Sequence, residues 1–300
     1  MIQVCVFGSA NLDVVARAER HPRPGETLLG TSYDEHPGGK GLNQAVAAAR
    51  AGAATAMLGA VGHDAAGDRL LAVLAGDGID HAGVLGVDAP TGRAMIVVAD
   101  DAENTIVVVP GANAEVQRAE LPDCSVLLVQ LEIPISAVSS ALSQARERRI
   151  TTILNPAPAT VLGADVLALC DLVVPNEHEL GALGGTGALL AAGVGNVVLT
   201  KGAAGVDVVN ANETLHVAAF TVRAVDTTAA GDTFCGTLAA ALAGGDDMSD
   251  AVHRAAAAAA LATTRAGAVP SIPSADEVDA FLTRNGQPCG QWRSTSATQP

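Results

Sequence analysis

Aromatic side chains make up only 2% of the 300-residue chain, with one Trp, one Tyr and four Phe. That scarcity disfavours the base-stacking platforms on which single-stranded nucleic acids bind. Positive charge is scarce as well: 17 Lys and Arg against 32 Asp and Glu leave a net charge of −15. A nucleic-acid surface needs a basic patch and an anionic bilayer would repel this chain, so neither is an expected partner. The hydrophobic fraction is 49%, but Ala supplies much of it and charged residues interrupt the apolar stretches, leaving no run long enough to span a bilayer. The five cysteines (Cys5, Cys124, Cys170, Cys235, Cys289) are odd in number and free of any CxxC pair, and the seven histidines form no HExxH. Reduced thiols in a cytoplasm are expected, not a disulfide framework or a zinc site. The opening MIQVCVFGSANLD has no basic n-region and meets Asp13 early, unlike a secretory signal.

What is present is an alternation of short apolar, β-branched runs with Ala-rich helical stretches. Strands are expected at 2–7, 55–62, 126–132, 150–155, 171–176 and 196–202, and helices at 42–51, 67–75, 136–147, 177–183, after Gly231, and at 250–265. Such alternation predicts an α/β fold with a mainly parallel sheet covered by helices on both faces. Segments 13–37 and 92–109 break the rhythm. They read as exposed strands and turns, the second a hairpin around Asp100–Glu103, and are expected to form a small β-layer over a ligand cleft; surface decoration is the plainer alternative. The organisation expected is one domain over 1–285 and a disordered polar tail over 286–300, with Trp292 outside the core.

Two clusters carry chemistry. Gly38-Gly39-Lys40-Gly41-Leu42-Asn43-Gln44 precedes a helix, where glycines allow close backbone approach and the helix start offers unpaired N–H groups. The GxxxxGK[ST] spacing of a Walker A loop is absent, and alone the segment is equally an ordinary helix entry. Asn11 and Asp13, expected at the end of the first strand, add amide and carboxylate groups suited to gripping sugar hydroxyls at the sheet's carboxyl edge. In the second cluster, Val225-Asp226-Thr227-Thr228-Ala229-Ala230-Gly231-Asp232-Thr233-Phe234, small residues bare the amides of a helix N-terminus for a phosphate oxygen. Asp232 in that first turn is placed to take a proton from an attacking hydroxyl; a plain helix-dipole partner is the alternative.

The two clusters, with Asn155-Pro156-Ala157-Pro158-Ala159, Pro175-Asn176-Glu177-His178-Glu179, Leu199-Thr200-Lys201-Gly202 and Thr264–Ser271, resemble the ribokinase family of PfkB-type sugar kinases over residues 2–285. The resemblance implies a three-layer sandwich with a small β-sheet lid, ATP-dependent phosphorylation of the 5-hydroxyl of D-ribose, and a homodimer joined through the lid. It implies that Asn11, Asp13, Gly39, Lys40, Asn43 and Glu132 bind the sugar, that Asp232 is the base, and that the amides of Ala229, Ala230, Gly231 and Asp232 form the anion hole. Thr200, Gly202, Ala203, Ala204 and Gly205 would line the nucleotide site with Asn176, Gly231 and Asp232. Lys201 falls in that loop at a position the family pattern does not fix, and a surface lysine is its plainer role. Glu179 would support Mg2+ through water. Asp226 and groups near Thr228, Ala262, Arg265, Gly267 and Ser271 would hold K+. Glu132 has a structural alternative as a strand-end carboxylate. At position 256 the all-alanine run 255–260 offers the adenine only apolar contact. Kinases for other sugars or nucleosides share this machinery, and a non-catalytic sensor on the same fold is a rival that an intact Asp232 disfavours. A dinucleotide oxidoreductase is disfavoured because Phe7-Gly8-Ser9-Ala10-Asn11 lacks the GxGxxG spacing.

Overall fold

The computed structural model describes residues 1–101, 103–286 and 289–294. The chain opens with β1 (Val4–Phe7), β2 (Asn11–Ala18), β3 (Ser32–Gly38) and α1 (Lys40–Arg50). Next come β4 (Thr55–Gly62), α2 (Ala65–Gly76), β5 (Asp80–Val87), β6 (Gly92–Ala99) and β7 (Asn104–Val109). The central stretch holds β8 (Val126–Val129), α3 (Ile135–Arg148), β9 (Thr151–Leu154), α4 (Ala164–Leu167), β10 (Leu172–Val173), α5 (Glu177–Ala182) and α6 (Thr186–Ala191). It closes with β11 (Asn196–Thr200), β12 (Val206–Val209), β13 (Glu213–Val217), α7 (Ala230–Gly244), α8 (Met248–Ala262), α9 (Ala275–Asn285) and β14 (Trp292–Ser294).

The main sheet has the order β14-β13-β12-β11-β10-β9-β8-β1-β4-β5. From β5 to β11 every neighbouring pair is parallel, while β12, β13 and β14 add an antiparallel edge. The central strands are apolar throughout because helices cover both faces. In β1 the two-residue period is explicit: Val4 and Val6 enter the core shared with α1, α7 and α8, whereas Cys5 and Phe7 enter the core shared with α3. The three layers expected from the strand–helix alternation are present. Among the described residues no helix is long and apolar enough to cross a membrane.

A second sheet, ordered β3-β2-β6-β7, joins the two segments that interrupt the α/β rhythm. Its β2–β6 pair is parallel and its two outer pairs antiparallel, so β6 and β7 form the expected hairpin; residue 102 of its connection lies outside the described residues. Two expectations need correction. Asn11 and Asp13 do not end the first strand; β1 stops at Phe7, and both residues belong to β2 of the small sheet, which carries their side chains over the cleft. The tail is not disordered throughout: Trp292–Ser294 pairs with β13 and Trp292 packs against the main core, since an indole buried on the outer strand gains more than one left in water. Residues 287–288 and 295–300 of that tail lie outside the described residues.

The α1–α7 contact sets the site. Gly236 of α7 lies against the Gln44 carbonyl and the Ala47 methyl, where a Cβ has no room. Gly41 likewise lies on the backbone of Gly8 and Ser9. These glycines bring the starts of the two helices together at the carboxyl edge of β1.

Candidate active site

Asp232 sits in the first turn of α7 and is 8% exposed. Both of its oxygens are held from α1: Asn43 Nδ2 donates to Oδ2 at 3.0 Å and Gln44 Nε2 donates to Oδ1 at 3.0 Å. The residue before α7, Ala229, has φ +58°, a left-handed conformation that L residues other than glycine rarely adopt. It turns the chain so that Ala230 N–H closes onto Thr227 O, and Thr233 N–H is the first to bond back into the helix, to Ala229 O. Among the described residues the Gly231 and Asp232 amides have no backbone acceptor, so the helix start presents two donors to an anion. Ala230, expected in the same role, has its amide committed to the turn.

On one side of Asp232 lies a charged pocket. Lys40 opens α1, Glu132 follows β8, and Asp13 reaches in from β2. Burial, with the Glu132 and Asp232 carboxylates beside it, pushes the Asp13 carboxyl up to about 7. Burial disfavours the Lys40 ammonium, yet Asp232, Glu132 and Glu179 outweigh it and hold that group above its ordinary value. Glu132 Oε2 accepts from Ser9 Oγ at 2.5 Å and from Lys40 N–H at 3.1 Å, so one oxygen caps α1 structurally and the other is left for a ligand. Asn11 is buried, its Oδ1 accepting from Asn113 Nδ2 at 2.7 Å, while Asn113 Oδ1 takes the Ala10 N–H at 3.0 Å. Gly39 has φ +91°, which a side chain would strain, and lies close to the Ala10–Asn11 backbone. Asn43 Oδ1 is buried and has no partner among the described residues.

On the other side opens a mostly apolar cavity of about 510 Å³. Thr200, Gly202, Ala203, Gly205, Ala230 and Gly231 line it, and Ala256, Ala259, Ala260 and Phe234 form its wall. That volume suits a nucleoside-sized ligand. Ala204 closes the 201–205 turn instead of lining the cavity. Lys201 is tied by its ammonium to Asp207 at 2.5 Å, and Asp207 also meets His216 Nδ1 at 2.7 Å.

Asn176 and Glu179 bond each other: Glu179 N–H donates to Asn176 Oδ1 at 2.8 Å and Asn176 N–H to Glu179 Oε2 at 2.9 Å, a capping box at the start of α5. Asn176 Nδ2 and Glu179 Oε1 take no part in that box, and the Asn176 backbone bridges to Thr200 on β11. Asp226 ties two loops together, accepting from Thr228 N–H and Oγ1 at 2.9 and 2.6 Å and from Gly267 N–H at 2.8 Å. Burial works against its charge, but these donors prevail and hold the carboxyl below its ordinary value. Ala262 O accepts from Arg265 N–H, the Arg265 guanidinium goes to Glu277, and Ser271 Oγ turns to Ala268 O, so Ser271 offers no hydroxyl proton elsewhere.

Residues 1–275 match the family model described as pfkB family carbohydrate kinase. The chain belongs to the pfkB family. A ribokinase of Haemophilus influenzae is 39% identical to this pfkB-family chain over 297 residues, covering 92% of it and 97% of the relative. Among solved structures, a Thermotoga maritima ribokinase superposes with a TM-score of 0.87 at 38% identity, covering 94% of this chain and all of that one. An Arabidopsis thaliana ribokinase complexed with ribose and ATP superposes at 0.86 with 30% identity, over 94% and 98% of the two chains.

The residues that motif reading passed over are Gln44, Ser9, Asn113, Gln130 and Asn155. Gln44 and Asn155 stand inside quoted motifs, so their position was legible but their partners were not. Gln130 and Asn113 carried no local signal.

Proposed function

We propose that this pfkB-family protein is a kinase that transfers the terminal phosphoryl group of ATP to the primary 5-hydroxyl of D-ribose. The observation that carries the reading is that Asp232, beside Lys40 and Asp13, directly follows Gly231, which lines the nucleoside-sized cavity and has a bare amide. Ribose is held by Asn11, Asp13, Lys40, Asn43 and the free oxygen of Glu132, and the adenosine lies on the alanine wall. Asp232 takes the hydroxyl proton as the oxygen bonds to the terminal phosphorus; the bond to the bridging oxygen breaks and ADP leaves. The Gly231 and Asp232 amides stabilise the charge on the phosphoryl oxygens during transfer.

The carboxylate and amide left over from the α5 capping box suit Mg2+, which is held by few protein groups and mostly by substrate phosphates and water. Bound there, Mg2+ would supply charge neutralisation for the triphosphate, with Glu179 and Asn176 as its protein-side support. The hard oxygen set at Asp226 and the 262–267 carbonyls suits K+, which would stiffen the loop leading into α7. We further propose a homodimer through the small sheet, supported by the exposure of Met95, Ile106, Val107, Val108 and Val109 on its β6–β7 side.

ADP release measured across ribose, deoxyribose, fructose and nucleosides tests the substrate. Ribose is expected to give the highest kcat/KM; a higher value for any other acceptor overturns the assignment to ribose and leaves the phosphoryl-transfer chemistry standing.

A further inference from the structure

Three primary amides are buried behind Asp232. Gln44 and Gln130 are fully buried and Asn155 is 9% exposed. Gln44 spends both amide hydrogens, on Asp232 Oδ1 at 3.0 Å and on Asn155 Oδ1 at 3.1 Å. Its Oε1 accepts from Gln130 Nε2 at 2.5 Å, and Asn155 Nδ2 donates to the Val174 carbonyl at 3.0 Å.

The direction of this chain is set at both ends. A backbone carbonyl can only accept, so Asn155 must turn its nitrogen to Val174 and its oxygen to Gln44. Gln44 must then turn its nitrogen to Asn155, and the second hydrogen of that nitrogen falls on the carboxylate, which also only accepts. Gln130 completes the arrangement by filling the oxygen that remains. A flipped Gln44 would set its oxygen against two acceptors. Burying amides is costly unless each is paired, and Gln130 Oε1 has no partner at all. A merely space-filling role would be met more cheaply by Leu or Met.

We propose that Gln44 is a positioning residue for Asp232, and that Asn155 and Gln130 act through it by holding its amide in one orientation. Together with Asn43 on the opposite oxygen, Gln44 fixes the plane of the carboxylate, so that the remaining lone pairs face the sugar hydroxyl. The consequence is pre-organisation of the base before substrate arrives. The assignment also accounts for the Asn155 motif, which has no other place in the site. It rests on Asp232 being the base.

The test compares Gln44→Met, Gln130→Met and their double variant with Asp232→Asn in the intact protein. Charged groups interacting with the base are Lys40 from α1 and Asp13 from β2, with the Cys235 thiol on α7, and Glu132 and Glu179 act on Lys40 beside it; all are unchanged in the Met variants. Gln44→Met is expected to lower kcat about 10- to 100-fold with both KM values within threefold. Gln130→Met should give a smaller loss of the same kind, in kcat with KM held, and the double variant no more than Gln44→Met alone. An unchanged kcat, a loss that falls on KM instead, or losses that multiply in the double variant overturns the positioning role. If Gln44→Met does not fold, Gln130→Met decides alone: an unchanged kcat, or a loss confined to KM, overturns the proposal. Near-normal turnover in Asp232→Asn is a different failure, removing the base itself and the inference with it.

Discussion

Asp13 shows how the pocket trades stability against binding. It lies on β2, half-buried, and the surrounding protein lifts its carboxyl from 3.8 to about 7, through burial first and then Glu132 and Asp232. The folded chain therefore binds this proton more tightly than the unfolded chain does. Between about pH 4 and pH 7 the folded state carries more of the proton, so stability attributable to this group is present below pH 4 and lost as pH rises to 7. Asp13→Asn removes that loss. It is expected to raise the melting temperature at pH 8 by about 2–5 °C, and by less at pH 5.5, in scanning calorimetry. Sugar binding should respond in the opposite sense, because an ionised Asp13 accepts hydroxyl protons better. The sugar KM of the unaltered protein is expected to fall from pH 6 to pH 8, and that of the variant to be flat and about tenfold higher or more. Equal melting temperatures at pH 8 would show that the carboxyl is not strained by its neighbours.

The element that would make the proposed anion hole is the loop entering α7, and its shape depends on α8. Thr263 O, at the end of α8, accepts the Val225 and Asp226 amides, and the Asp226 carboxylate reaches across to Gly267 N–H. A cation at this crossing would lock the left-handed turn at Ala229 that aims the Gly231 and Asp232 amides. K+ is accordingly expected to raise kcat severalfold over Na+ or choline, and Asp226→Ala to abolish that difference; identical rates in the three salts would remove the cation site. How much of this was legible follows the range of each interaction. β1 and β8, with VCVF and VLLV, advertise themselves as doubly covered strands, and the starts of α1 and α7 are marked by their small residues. The β12–β13 hairpin, α9 and the β14 edge are weaker, because their residues are only partly apolar and their pairing is decided by the sheet they join. Motif residues point to the proposed sugar and nucleotide sites, but Gln44 meets Asp232 across 188 positions and Asn155 across 111, contacts set by helix packing and invisible to local pattern.

At the scale of the molecule, the excess of acid coexists with anion chemistry because its two lysines and its amides are placed differently. Lys40 is enclosed by carboxylates and Lys201 is tied to Asp207, so in the proposed mechanism the helix-start amides would meet the phosphates. The acidic exterior bears also on assembly. β7 ends the small sheet as an edge strand, and all six of its residues are exposed, including Ile106, Val107, Val108 and Val109. An apolar edge invites pairing, and covering it with the same edge of a second copy removes it under two-fold symmetry. Two chains of net charge −15 repel each other, so the contact has to be apolar and should tighten as salt screens the repulsion. Sedimentation velocity is expected to give twice the mass of one chain, with the dissociation constant falling between about 50 and 300 mM salt. Val107→Arg is expected to yield single chains that keep their main-sheet circular dichroism. It should also raise the sugar KM, since the sheet carrying Asn11 and Asp13 loses its support. A single-chain mass for the unaltered protein at every salt concentration would leave β7 uncovered and overturn the dimer.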